Sequence, residues 1–296
     1  MNYYNEIKNK LIDNEIYEKA KDYSKERNKV ITYFEIGRLL NEAGSKYGED
    51  IIGKYSEKLM IEVGKKYNPR TLRSMKQLYI TFNDDFWKPL VSKLNWTNLL
   101  LIMPLKDKDK MYYYANLSIK ENLSKRQLQL KIKNKEYERL DKKTKEKLIT
   151  KEKTKVTDFI KNPIIIKKSN NYEEISEKVL KRLILEDMKN FLKELGEGFT
   201  YISDEYKIKI GDAYNYIDLL LYNIKYRCYV IIELKVTDLK KEHIGQIQIY
   251  MNYVNKNIKS IYEDKTIGII IVKKDNKFVM EYCSDERIYR ATYILN

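Results

Sequence analysis

Histidine and cysteine are nearly missing from this chain: one His and two Cys stand among 296 residues. A structural zinc site takes about four nitrogen or sulfur ligands, and His243, Cys228 and Cys283 cannot supply them. A Ser-His-Asp triad would have to run through His243 alone. That residue lies beside Glu242 at the start of an expected helix, where a surface position is the plain reading. The two cysteines sit in apolar, strand-like runs and are expected to be reduced core thiols. Long apolar runs are missing as well. Leu219–Tyr222 and Ile267–Val272 are among the longest, far short of the roughly 20 residues that span a bilayer. The opening Met1-Asn2-Tyr3-Tyr4-Asn5-Glu6 has no basic stretch leading into an apolar one, so no signal peptide is expected. These absences lead to the expectation of a cytoplasmic protein with no membrane partner.

Positive charge is plentiful: 58 Lys and Arg face 43 Asp and Glu, a net charge of +15. The excess is uneven. Residues 1–160 hold 35 basic against 23 acidic groups, and residues 161–296 hold 23 against 20. A basic surface suits a polyanionic partner such as nucleic acid. The plain alternative is codon bias, because 48 of the basic residues are Lys and Asn, Ile and Tyr are also abundant. A hydrophobic content of 43% argues for packed cores, and the length suffices for two of them.

The first half reads as helical throughout. Val30, Ile31, Phe34, Leu39 and Leu40 recur at helical spacing, as do Ile52, Tyr55, Leu59 and Val63. Asn68-Pro69 offers an N-cap followed by a proline suited to the first turn, and Leu72, Met75, Leu78 and Phe82 make the apolar stripe behind it. Ser124 and Gln127 form a capping-box pattern. Residues 141–158, rich in Lys, Thr and Glu, suggest a boundary. The division expected is a helical, nucleic-acid-binding domain at 1–150, a basic linker at 151–170 and an α/β domain at 171–296. The latter is expected to hold a helix over Tyr172–Leu195, strands at 199–202, 206–210, 216–222 and 227–235, a helix at 240–255, and strands at 266–272 and 278–283.

Chemistry enters at the hairpin of 216–222 and 227–235. A turn centred on Lys225 and Tyr226 pairs residues whose numbers sum to 451, which sets Asp218 against Glu233. Lys235 lies two residues on, in phase with Glu233. Three charged groups therefore meet on a strand that otherwise reads Cys-Tyr-Val-Ile-Ile, where unpaired charge is costly. The plain alternative is a solvated ion pair. Phosphodiester hydrolysis offers a reason for the trio. Two carboxylates can hold a hard divalent cation, and a lysine can orient or deprotonate water, or stabilise the charge of the transition state.

Asp218-Leu-Leu-Leu-Tyr222-Asn223, Cys228-Tyr-Val-Ile-Ile-Glu233-Leu-Lys235 and Gly245-Gln246-Ile-Gln248-Ile-Tyr250 together resemble the nuclease domain of the YhcG-like PD-(D/E)xK family. Phe191 to Phe199 resembles that family's helix-to-strand junction. Ile36-Gly37-Arg38, Tyr47-Gly48, Leu72 to Lys76 and Tyr137 to Leu140 are similar to its accessory domain. The resemblance implies an all-α N-terminal domain, helix-turn-helix or winged-helix-like. It implies a restriction-endonuclease-like α/β domain with a mixed central sheet after it. It also implies catalysis by Asp218, Glu233, Lys235 and a helix glutamine, with Mg2+ (or Mn2+ in its place) as cofactor. Gln246 is the glutamine chosen, with Tyr250 a turn later, and Gln248 is second. Glu177 is a candidate third metal ligand beside Asp218 and Glu233, since Leu180, Ile184 and Met188 share its helix face; Glu186 reads as solvated. The chain departs from relatives after the first strand, where Ser203-Asp204-Glu205 replaces a basic segment.

In the first half, Arg70, Arg73, Lys76 and Gln77 are candidate nucleic-acid contacts on the free face of a recognition-type helix. The run Tyr112-Tyr113-Tyr114 could stack bases, with at least one ring in the core. The function expected is a metal-dependent endonuclease acting on DNA, in defence against foreign DNA or in repair, as a homodimer or within a larger complex. The alternative is a non-catalytic nucleic-acid-binding or regulatory protein with a nuclease-like fold.

Overall fold

The structure, a computed structural model, describes residues 2–19, 25–47, 50–84, 87–150, 152–168, 174–281 and 283–296. Gly48 and Tyr172, both named above, lie outside the described residues. The chain divides into two compact units, Met1–Tyr137 and Glu138–Asn296.

The described residues of the first unit form helices and no strand: α1 (Tyr3–Lys19), α2 (Lys25–Tyr47), α3 (Ile51–Glu62), α4 (Pro69–Phe82), α5 (Lys88–Val91), α6 (Trp96–Ile102), α7 (Lys108–Lys120) and α8 (Lys125–Lys133). A β-wing is thus absent among them. Two local signals act as the sequence suggests. Asn68 accepts the N–H of Thr71 at 3.1 Å and Pro69 opens α4, and Ser124 and Gln127 close a reciprocal capping box on α8. Leu72, Met75, Leu78 and Phe82 are all buried. The α2–α4 crossing is close because Gly37 has no side chain: a Cβ there would lie 2.1 Å from the carbonyl oxygen of Met75. Tyr114 is wholly buried, and Tyr113 packs its ring on Tyr114 and Tyr137. Tyr114 is thus the core ring of the run, while Tyr112 and Tyr113 are half-buried, because consecutive helical positions point about 100° apart.

The second unit contains α9 (Lys142–Thr150), β1 (Ile164–Ile166), α10 (Glu177–Glu186), α11 (Met188–Leu195), β2 (Phe199–Ile210), β3 (Ala213–Asn223), β4 (Cys228–Asp238), α12 (Lys241–Asn257), β5 (Asp264–Lys274), α13 (Lys277–Glu281) and β6 (Ile288–Leu295). Its six strands form one mixed sheet in the order β1-β6-β5-β4-β3-β2. β2, β3 and β4 are an antiparallel meander, whereas β5, β6 and β1 run parallel to their neighbours. One face, with Leu219, Leu221, Val230, Ile232 and Ile269, packs under α10 and α11; the other, with Leu220, Ile231, Ile270 and Val272, packs under α12. This is the α/β sheet with helices on both faces that the sequence suggests.

Several boundaries differ from expectation. Residues 138–166 are no free linker. Three isoleucines hidden in that basic stretch add an edge strand, pairing Ile164–Ile166 with Tyr293–Leu295. Arg139 and Glu194 form a buried ion pair, and Glu194 also accepts the N–H of Ile165. By this boundary the first unit carries 27 basic and 18 acidic residues and the second 31 and 25, so the positive excess is shared more evenly than residue 160 suggested. The long helix breaks at Asp187, whose side chain caps α11 by accepting the N–H of Asn190. The two short strands at 199–210 are one, and residues 277–281 form a short helix where a strand was expected. No described helix is long and apolar enough to cross a membrane.

Candidate functional site

The β3–β4 ladder has the register that the turn spacing requires: Leu219 pairs with Ile232, Leu220 with Ile231, Leu221 with Val230. Asn223 sets the turn by accepting the N–H groups of Lys225 and Tyr226. The ladder stops after Leu219. The next opposed residues are Asp218 and Glu233, and here the strands part. Oδ2 of Asp218 accepts the N–H of Leu234 at 2.9 Å, a donor that a continuing antiparallel ladder would give to the carbonyl of residue 217. The strand is irregular at this point, because Ile217 and Leu219 fall in opposite cores although they lie two residues apart. Strict alternation fails where Asp218 is delivered.

Glu233 is 2% exposed. Its Oε1 accepts from Lys235 Nζ at 2.8 Å, while its Oε2 is buried with no hydrogen-bond partner among the described residues. Burial, reinforced by the nearby charge of Asp218, pushes its carboxyl up to about 7 against the pull of Lys235. Burial alone would lower Lys235, but the hydrogen bond and charge of Glu233, with Glu177 and Asp218 behind it, hold it above the ordinary lysine range. Lys235 is therefore a charged donor, not a free base.

Helix α10 brings two side chains to this edge. Ser176 caps it by accepting the N–H of Val179. Glu177 Oε2 lies 3.7 Å from Lys235 Nζ. One turn on, Lys181 Nζ lies 2.7 Å from Glu205 Oε1 and 3.8 Å from Asp218 Oδ1. Lys181 was not singled out from the sequence, although its i+4 spacing from Glu177 on one helix face was a usable signal. Glu205, in a left-handed conformation at φ 46, stands in the segment where a basic group was missed; the cation there is supplied by α10.

On α12, Gln246 Nε2 donates to Tyr250 Oη at 3.1 Å, whereas Gln248 lies toward Asp285, whose carboxyl is held low chiefly by Arg287. Gln246 therefore shares the face of Tyr250 but makes its bond to that ring, not to the carboxylates. His243 is half-buried rather than on the open surface. It accepts the N–H of Lys240 at the helix start, and burial together with the charge of Lys235 lowers its pKa. Glu186 pairs with Arg182 away from the trio. Burial pushes the Cys228 thiol up to about 12, leaving it inert, and Cys283 is half-buried and free.

Among the described residues, no three His, Cys, Asp or Glu side chains stand together as a ready-made metal cage. Glu177, expected as a third ligand, is 43% exposed at its side chain and contacts Lys235. The donor set still fits a hard cation. Ions of the Mg2+ kind use one or two carboxylates and take their remaining ligands from water and phosphate. The orphaned Oε2 of Glu233 beside Asp218 is such a pair.

In the first unit, Arg70, Arg73 and Gln77 are exposed on α4, and Gln77 bonds Thr81 of its own helix. Lys76 is half-buried against α2, with its ammonium beside Gly44. It belongs to the seam between the helices more than to the free face.

Residues 157–295 match the family model of the YhcG PDDEXK nuclease domain, and residues 10–139 match that of the DUF1016 N-terminal domain. The "Putative nuclease YhcG" of Escherichia coli (strain K12) is 23% identical over 282 residues, covering 81% of this chain and 75% of that protein. Among solved structures, a repair endonuclease from Pyrococcus abyssi is 22% identical and covers 42% of this chain and 49% of that one, with a TM-score of 0.30. An EndoMS–dsDNA2 complex is 20% identical, with coverages of 42% and 48% and a TM-score of 0.31. The chain thus spans about half the length of these solved chains.

Proposed function

The chain joins a DUF1016 N-terminal domain to a YhcG PDDEXK nuclease domain, and on that footing we propose that it is a metal-dependent endonuclease that hydrolyses phosphodiester bonds in DNA. The observation that carries the reading is Glu233: a buried carboxylate with one oxygen on Lys235, the other unpartnered, and Asp218 beside it. Burying such a group without full pairing is costly, and a cation ligand is the chemistry that repays it. Asp218 and Glu233 would hold Mg2+, or Mn2+ in its place. When bound, the ion neutralises charge that develops on the phosphoryl oxygens.

The remaining work falls to side chains. Lys235, kept protonated by Glu233, donates to a non-bridging phosphate oxygen or to the attacking water, and its charge counts most in the transition state. Glu177 holds Lys235 from the helix side. Lys181 balances Asp218 and Glu205 until substrate and ion arrive. Gln246, held by Tyr250, would contact substrate. Arg70, Arg73 and Gln77 on α4 form a basic and amide face suited to DNA, in the manner of a recognition helix. A role in defence or repair is proposed on the family resemblance alone, and a homodimer or a larger complex is the proposed assembly.

The test is a cleavage assay on supercoiled and linear DNA, with RNA alongside, in Mg2+, in Mn2+ and in EDTA. Cleavage of circular DNA that stops in EDTA is the expected result. Metal-independent cleavage, or none on any DNA, overturns the proposal.

A further inference from the structure

The strands that deliver Asp218 continue past it as an arm. β4 pairs with β3 only over 219–223, whereas β2 pairs with β3 out to Ile210 and Ala213. From Tyr206 to Ile217 the hairpin is therefore a two-stranded ribbon that extends beyond the ladder's end. One side of it is anchored: Ile208 and Ile217 are buried with α12, and Tyr206 and Ile210 pack against them.

The other side carries a compact set. Lys207 pairs across the ribbon with Tyr216, and Lys209 with Tyr214. Directly paired residues share a face, so two lysines and two tyrosines stand together. The rings are open, Tyr214 at 57% and Tyr216 at 53% exposure. Lys207 Nζ sits 3.8 Å from the centroid of the Tyr214 ring and Lys209 Nζ 6.0 Å from it. Among the described residues, both ammonium groups stand against the Tyr214 ring and neither is paired with a carboxylate. Tyr214 and Tyr216 lie four and two residues before Asp218 on the same strand. At about 3.4 Å per residue, they stand roughly 14 and 7 Å from it along the chain.

Lysines on an edge strand deter edge-to-edge pairing, and β2 is an edge strand. That accounts for Lys207 and Lys209 but not for two large rings left in solvent beside them. Aromatic faces flanked by unpaired cations are what single-stranded nucleic acid uses: bases stack and phosphates meet the ammonium groups. A fully paired duplex keeps its base faces hidden and cannot use the rings.

We propose that Tyr214 and Tyr216, with Lys207 and Lys209, form a stacking platform for single-stranded DNA that leads an unpaired strand to Asp218. The platform rests on the nuclease reading and narrows its substrate to DNA with single-stranded segments.

The test measures binding of a fluorescent single-stranded oligonucleotide and of a blunt duplex of the same length by full-length protein in EDTA, with cleavage in Mg2+ followed in parallel. Tyr214→Ala with Tyr216→Ala should weaken single-strand binding at least tenfold and duplex binding less than twofold. Tyr214→Phe with Tyr216→Phe should bind like wild type. Lys207→Gln with Lys209→Gln should flatten the salt dependence of single-strand binding by about 0.7 per lost phosphate contact. Unchanged single-strand binding in the alanine pair, or equal loss on both DNAs, overturns the platform even if wild type cleaves DNA normally. If the platform effects hold but Mg2+ never supports cleavage by wild type, the nuclease reading fails and the platform stands. Both rings are exposed, so thermal melting should be unchanged in the alanine pair; a lowered melting temperature with weak binding also in the phenylalanine pair marks a structural role and overturns the proposal.

Discussion

The backbone N–H of Leu234 donates to Oδ2 of Asp218 at 2.9 Å, on a strand where a ladder would have offered it a carbonyl. One carboxylate oxygen thus serves the fold and leaves the other for chemistry. Asp218→Asn keeps an acceptor for Leu234 and loses the charge, so it should fold like wild type while cleavage falls at least a hundredfold. Asp218→Ala also strands the N–H, at a cost of about 1–3 kcal/mol, which corresponds to several degrees in melting temperature for a domain of this size. Equal melting temperatures for the two variants would show that the bond does not hold the strands as described.

The hairpin register was legible because Asn223 and the short turn leave one pairing open. The capping of α4 was legible for the same local reason. What escaped is long-range. The irregularity at Asp218 follows from two cores claiming Ile217 and Leu219, which a period-two count cannot register. β1 is three isoleucines in a basic stretch, and it exists because β6 offers an edge to it; β6 was itself missed, since its apolar positions are mixed with Arg290, Thr292 and two tyrosine rings, Tyr289 and Tyr293. The segment 277–281 carries β-type residues but forms a helix. Lys181 carried a signal in its i+4 spacing from Glu177, but its approach to Asp218 becomes visible only in the fold.

A raised carboxyl pKa sets a pH dependence. Burial, with the charge of Asp218 beside it, pushes the Glu233 carboxyl from the ordinary glutamate range up to about 7. Below about pH 4.5 both states hold the proton and nothing is lost; as the pH rises toward 7 the unfolded chain ionises first, and stability falls. The loss should amount to about 3 kcal/mol at most. Denaturant melts in EDTA from pH 4.5 to 7.5 should show it, and Glu233→Gln should remove most of it. The same pH slope in both proteins would assign it to other groups.

Lys181 occupies the cation side of Asp218 and Glu205. Lys181→Met removes that charge and leaves two carboxylates unbalanced, so Mn2+ affinity measured by calorimetry should rise severalfold. Weaker or unchanged Mn2+ binding would mean that the lysine does not compete for the site.

Gly37→Ala should destabilise the first unit by about 1–3 kcal/mol, the usual cost of overpacking, because α4 must move away from Met75's partner helix. Thermal melting of the full chain checks this. An unchanged transition would show that α2 and α4 can part freely.

The central claim is that the buried Glu233 is retained for catalysis. Single-turnover cleavage of DNA by purified Glu233→Gln, compared with wild type across a Mg2+ titration and with binding measured in EDTA, tests it most directly. Cleavage should drop by at least a thousandfold while DNA affinity stays within about twofold, since phosphate contacts elsewhere supply the binding and the site acts on the transition state. Wild-type cleavage by Glu233→Gln would contradict the claim.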